Sequence, residues 1–225
     1  MNDLPFKRTL TRRLHLLTSI SLGMLSVIAV AEEPKKTPIP LEDFVDIPRK
    51  ETFSSGIVYG PKAAFKISAP KGWVVDNEAG VQEGFPCVLY PAGSTWADAD
   101  AVMYAKIAST NTTDRDAFVK FAITKMREGD KEFRYTRVAG GKTGDGHAYI
   151  INDYRHGARA DAARSQVERV AYVQLPGAVA FIVFTVASEE LHKKHAGVVQ
   201  EVVKTFSYAP EYIGFGAKKK APARK

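Results

Sequence analysis

Residues 165–188 read SQVERVAYVQLPGAVAFIVFTVAS, two apolar-rich arms on either side of a Pro176-Gly177 pair. Proline and glycine supply turn geometry, and the arms are rich in β-branched and aromatic residues, so the stretch reads as a β-hairpin. Its second arm, residues 178–187, is apolar almost throughout. A strand of that composition has no face to offer water and must lie at the centre of a sheet covered on both sides.

Working outward, residues 132–156 (EFRYTRVAGGKTGDGHAYIINDYRH) read as another pair of strands around a glycine-rich turn. In FKISAPKGW, residues 65–73, Phe65 and Ile67 alternate with Lys66 and Ser68 as in a half-buried strand. The chain then turns at Pro70-Lys71-Gly72 and restarts at Trp73. Residues 87–90 and 101–108 are further strand candidates, joined by the loop PAGSTWADAD. Thr113, with Asp114 and Asp116 in the first turn, opens a helix on which Phe118, Phe121, Ala122 and Met126 fall at helical spacing before Gly129. Ser188 with Glu189 and Glu190 opens a second, whose Leu191, His195, Val198, Val199, Val202 and Phe206 form one stripe. Strands, helix, strands, helix, with hairpins too short for parallel crossovers, predict an α+β domain with a mainly antiparallel sheet covered by helices.

The ends of the 225-residue chain read differently. Lys7, Arg8, Arg12 and Arg13 precede an apolar run over residues 14–30, and Ala29-Val30-Ala31 offers small residues for cleavage, so residues 1–31 are expected to be a cleaved export signal. Residues 32–55, with prolines at 34, 38, 40 and 48, suggest an extended linker. A single domain is expected over residues 56–210, followed by a basic disordered tail over 211–225. The formal charge of +7 is concentrated at these ends. The signal holds four basic residues and Asp3, so its removal leaves +4, and Lys218, Lys219, Lys220, Arg224 and Lys225 account for five more positives. The folded part is therefore near −1, unlike a nucleic-acid-binding domain, which carries its charge on a face of the fold. The tail permits contact with anionic surfaces without requiring it. Cys87 is the sole cysteine, so the domain must be held by its core rather than by an internal disulfide.

FKISAPKGW resembles the entry strand and Pro-x-Gly-Trp turn of PsbP-like proteins, the superfamily of the extrinsic photosystem II subunit and its non-photosynthetic bacterial relatives. GWVVDN, YPAGSTW and VMY, followed by ERVAYVQ, are similar to an uncharacterised exported branch of that superfamily. The resemblance implies an α/β/α sandwich and a non-catalytic accessory, assembly or binding role outside the cytoplasm, in the periplasm or secreted. No metal ligand of the photosynthetic members maps onto this chain.

The residues themselves give no strong catalytic pattern. Gly141-Lys142-Thr143 lacks the upstream glycine of a phosphate loop, since Thr136 stands there. His192 and His195 lie three apart and could share a metal with Glu189, but two histidines fall short of the three or four ligands of a zinc site, and Lys193 and Lys194 oppose a cation. Ser94 or Ser165 with His147 or His156 would make a hydrolytic set only by chance proximity, and no nucleophile elbow occurs. No catalytic residue, cofactor or metal is assigned.

A binding surface is the better expectation. Trp96 lies in a loop with Tyr90 just before it, and Tyr104, Arg155 and Glu168 lie on strands, where polar groups are expected to point outward. Aromatic and arginine side chains carry much of the energy of interfaces. The plainer alternative makes Trp96 a lid on the sheet edge and Arg155–Glu168 a cross-strand ion pair. The expected function is an exported non-enzymatic module that binds a protein or envelope component; the alternative is a small-ligand, metal or hydrolytic pocket around His156 or the His192 and His195 pair.

Overall fold

The computed structural model describes residues 55–109, 111–157 and 167–214. The expected export signal, nearly all of the expected linker and the lysine-rich end of the expected tail lie outside the described residues. Ten strands and three helices follow in order: β1 (Ser55–Tyr59), β2 (Ala64–Ser68), β3 (Trp73–Asp76), β4 (Cys87–Pro91), β5 (Ala101–Ile107), α1 (Arg115–Gly129), β6 (Arg134–Lys142), β7 (Ala148–Arg155), β8 (Val167–Leu175), β9 (Ala178–Val186), α2 (Glu189–Lys194), α3 (Val198–Lys204) and β10 (Ser207–Tyr208).

Seven strands form the main sheet in the order β3-β4-β5-β9-β8-β7-β6, every neighbouring pair antiparallel. The expected α+β class is what the chain adopts. β9 is the middle strand, and its side chains divide between two cores by the two-residue period of a strand. Ala180, Ile182 and Phe184 face one core, where Val199, Val202, Val203 and Phe206 pack upon them. Val179 and Val183 face the other, under Phe118, Val119 and Ile123 of α1. The β8–β9 hairpin turns where the sequence places it, on Gly177 at φ +67°, a backbone region that side chains other than glycine's avoid.

Four details differ from the sequence reading. The first face is covered by more than a helix: β1, β2 and β10 form a three-stranded antiparallel sheet whose Val58, Phe65 and Ile67 complete that core, with Phe65 stacked on Phe206 at 4.5 Å. The C-terminal helix is two short ones, because Gly197 favours a break and Arg169 Nη1 takes the Ala196 carbonyl that a continuous helix would use. α1 buries Phe118, Val119 and Ile123 while Phe121 faces solvent, and its N-cap is Asp114, whose side chain accepts from the Ala117 N–H at 2.7 Å. The fold also runs past residue 210: Gly214 N–H donates to the Gly60 carbonyl, and Lys66 reaches Glu211 and the Tyr212 ring.

Candidate functional site

The residues expected to form one outward surface do not do so. Tyr90, Trp96, Tyr104 and Glu168 are all at most 9% exposed. Tyr90 donates its hydroxyl to Asp76 at 2.8 Å, and Trp96 donates its indole N–H to Glu83 at 3.2 Å while packing on Phe85. Phe85 in turn lies 4.3 Å from the Tyr104 ring. The loop thus folds Trp96 inward as a lid over β4 and β5, the plainer of the two expectations. Apolar ring area outweighs the single polar atom on each of these side chains, and each polar atom given a partner is cheap to bury. Arg155 sits on the opposite side of the sheet, paired through both guanidinium nitrogens to Glu189 at 2.9 and 3.0 Å rather than to Glu168.

Glu168 instead meets His156. The imidazole lies between two carboxylates, with Nε2 3.7 Å from Glu168 Oε2 and Nδ1 3.5 Å from Asp130 Oδ2, ion-pair distances without the alignment of a hydrogen bond. Asp130 also accepts from the Gly157 and Glu132 N–H groups, tying the end of α1 to the end of β7. His192 and His195 lie on the other face and point to different neighbours: His192 Nε2 is 3.5 Å from Asp153, and the His195 ring is 5.7 Å from Trp73. Among the described residues no three His, Cys, Asp or Glu side chains are placed to hold a metal. Ser94 gives its hydroxyl to the Pro91 carbonyl of its own turn, and Ser165 lies outside the described residues. Thr143 and Asp145 hold the glycine-rich turn against β10, where Asp145 accepts from the Tyr208 N–H at 2.6 Å.

A different place gathers cations around one unpartnered buried atom. Between α1 and the β6–β7 edge runs a cleft of about 420 Å³, within the size range of roughly 300–1,000 Å³ usual for ligand sites. Helical spacing puts Asp116, Lys120, Thr124 and Arg127 along one wall, above an apolar floor of Val119 and Ile123. The opposite wall is β6, where Tyr135 and Arg137, two residues apart, point to the same side. Arg127 lies 5.6 Å over the Tyr135 ring, a cation–π contact. Three cations thus face one carboxylate. A hydrogen bond from Arg115 and the nearby charge of Arg137 hold Asp116 below the usual carboxylate range, so it stays ionised and leaves a net positive cleft.

At the base stands Asn152, directly opposite Arg137 in the β6–β7 register and 1% exposed. Its amide nitrogen donates to the Tyr154 hydroxyl at 3.1 Å, and Tyr154 shares a hydrogen bond of 2.9 Å with Tyr172. Burial pushes the Tyr172 hydroxyl well above the ordinary phenol range, and that of Tyr154 upward. They remain neutral hydrogen-bonding groups. The amide oxygen of Asn152 has no partner, an omission that costs about 1–3 kcal/mol for a buried polar atom. Sequence reasoning passed over these residues because they lie far apart in sequence. The signals available were the seven-residue spacing of Lys120 and Arg127 and the Tyr135-x-Arg137 alternation, neither of which reveals that helix and strand meet.

No protein-family model matches the sequence, and no curated protein does. The chain is similar to the cyanobacterial PsbP (CyanoP) of Synechocystis sp. PCC 6803, at 14% identity and a TM-score of 0.44, covering 69% of this chain and 93% of that one. It is also similar to LpqN, involved in cell envelope biogenesis of Mycobacterium tuberculosis, at 12% identity and a TM-score of 0.43, covering 69% and 91%. A Bacteroides thetaiotaomicron structure matches at 16% identity and a TM-score of 0.37, over 72% of this chain and 50% of that one. Among the described residues no helix is long and apolar enough to cross a membrane.

Proposed function

We propose that this chain works outside the cytoplasm as a non-catalytic binding module, and that its contact site is the cleft between α1 and β6 rather than the Tyr90 to Trp96 region. The setting follows from the export signal read in residues 1–31, not from the likeness to LpqN. The observation that carries the site is the juxtaposition of Lys120, Arg127 and Arg137 over Asn152, whose buried amide oxygen lacks a partner. Three cations facing the single carboxylate of Asp116 are unfavourable in the free protein and are relieved by an anionic partner. Asp130, beside His156, already accepts from the Gly157 and Glu132 N–H groups, and Asp153, beside His192, accepts from Arg169.

The test places a photo-crosslinking side chain at Thr124, inside the cleft, and separately at Glu190, on the far side of the sheet. In the native envelope, Thr124 should yield a discrete adduct that disappears when Lys120→Glu and Arg137→Glu are introduced, while Glu190 should not. Adducts of equal yield from both positions, indifferent to the charge reversals, would contradict the assignment.

A further inference from the structure

The cleft has a second property, at its open side. β6 is the last strand of the main sheet, it is nine residues long, and all but one of its residues are exposed. Among the described residues nothing pairs with its outer edge. Such an edge presents a row of free N–H and C=O groups, a template for one more strand. Its side chains decide which strand. Arg134, Arg137 and Lys142 are its charged residues, and no carboxylate lies between them. A second copy of β6 laid against the first would set arginine and lysine near arginine and lysine, and the bulge between Arg137 and Ala139 would interrupt a matched register. The same cations favour an acidic strand, with Lys120 and Arg127 adding charge from the helix wall.

Resting on the cleft as the binding site, we infer that its occupant is an extended acidic peptide segment of a partner protein, added antiparallel or parallel to β6 as an eighth strand. Its carboxylates would meet Arg137, Lys142, Lys120 and Arg127. An N–H or hydroxyl donor on a side chain entering the cleft would satisfy the amide oxygen of Asn152. Main-chain pairing gives such a complex its affinity and the charged wall gives its selectivity. The folded part as a whole is near −1, so this cationic strip is a local feature and not a general stickiness toward anions.

The experiment titrates the full chain with a labelled synthetic peptide alternating glutamate and threonine, and with the same peptide N-methylated at every second residue. The N-methyl groups keep the charge and remove the ladder donors. An alternating lysine–threonine peptide and anionic phosphatidylglycerol vesicles serve as comparators. The inference expects the acidic peptide to bind with slowed amide exchange along β6, N-methylation to weaken it about tenfold, and Lys120→Glu with Arg137→Glu to weaken it at least about as much. Arg137→Gln gives a milder variant should the reversals disturb folding. If N-methylation has no effect, or vesicles compete fully without slowing exchange in β6, the strand-addition inference fails and the cleft stands as a plain anion site. If binding is indifferent to every charge change in the cleft and resides on the basic tail, the cleft reading fails with it.

Discussion

Asp153 serves two partners at once. It takes both arms of Arg169, at 2.7 and 2.8 Å, and faces His192 at 3.5 Å, so a carboxylate on β7 fastens α2 to the sheet. His192 is buried against Phe184, and burial holds its pKa below the ordinary histidine range, partly opposed by Asp153, with Arg169 and Arg155 disfavouring protonation and Glu189 favouring it. A histidine with a depressed folded pKa is neutral in the native state, so the unfolded chain binds more protons below its own pKa. The contribution of His192 is therefore complete above about pH 6.5 and declines as pH falls from there toward the folded pKa. Urea denaturation across that window should show stability falling with acid, and His192→Gln should flatten the slope. An unchanged slope would show that other groups carry it. Cys87 makes a simpler case. Burial, with Asp76 nearby, pushes its thiol up to about 12, so the folded chain should resist alkylation at pH 8 and react stoichiometrically once unfolded. The sequence already allowed that reading, since a lone cysteine in an apolar strand is ordinarily a small hydrophobe.

Elements were more legible than their partners. The β8–β9 hairpin lies where Pro176-Gly177 puts it, because turn chemistry and two-residue alternation are local properties. The small sheet was not legible: β2 and β3 are separated by a short turn, yet they belong to different sheets, and only long-range pairing with β1 and β10 decides that. Trp96 shows the same limit in a loop. Its exposed or buried state depends on Phe85 and Glu83, which approach from another connection. Because it is a core ring, Trp96→Ala should destabilise the domain by about 3 kcal/mol or more, seen as a lower denaturation midpoint. A variant that folds as stably as wild type would return Trp96 to the surface. Asp114→Ala removes the N-cap of α1 and should cost about 1 kcal/mol, without altering the cleft charges.

The described residues form one seven-stranded sheet with different covers on its two faces, and that difference positions the cleft. On one face the small sheet, α2 and α3 close over the core, and ion pairs such as Arg155–Glu189 fasten the rim. On the other, α1 covers the β7–β8–β9 region and stops short of β6, leaving Lys120, Arg127, Arg137 and Tyr135 around an open space. The class of fold and its central strand could be read from composition and period. The cleft could not, since it exists only where α1 meets the last strand of the sheet. Its cations are a few among many charged residues in a chain whose most visible charge lies in its terminal lysines. The most direct measurement is an NMR chemical-shift map of the full chain titrated with the acidic glutamate–threonine peptide. The account predicts that the perturbed amides cluster on residues 116–127 of α1 and along β6, with Asn152 among them. Shifts confined to the terminal lysines, or centred on the loop around Trp96, would contradict it.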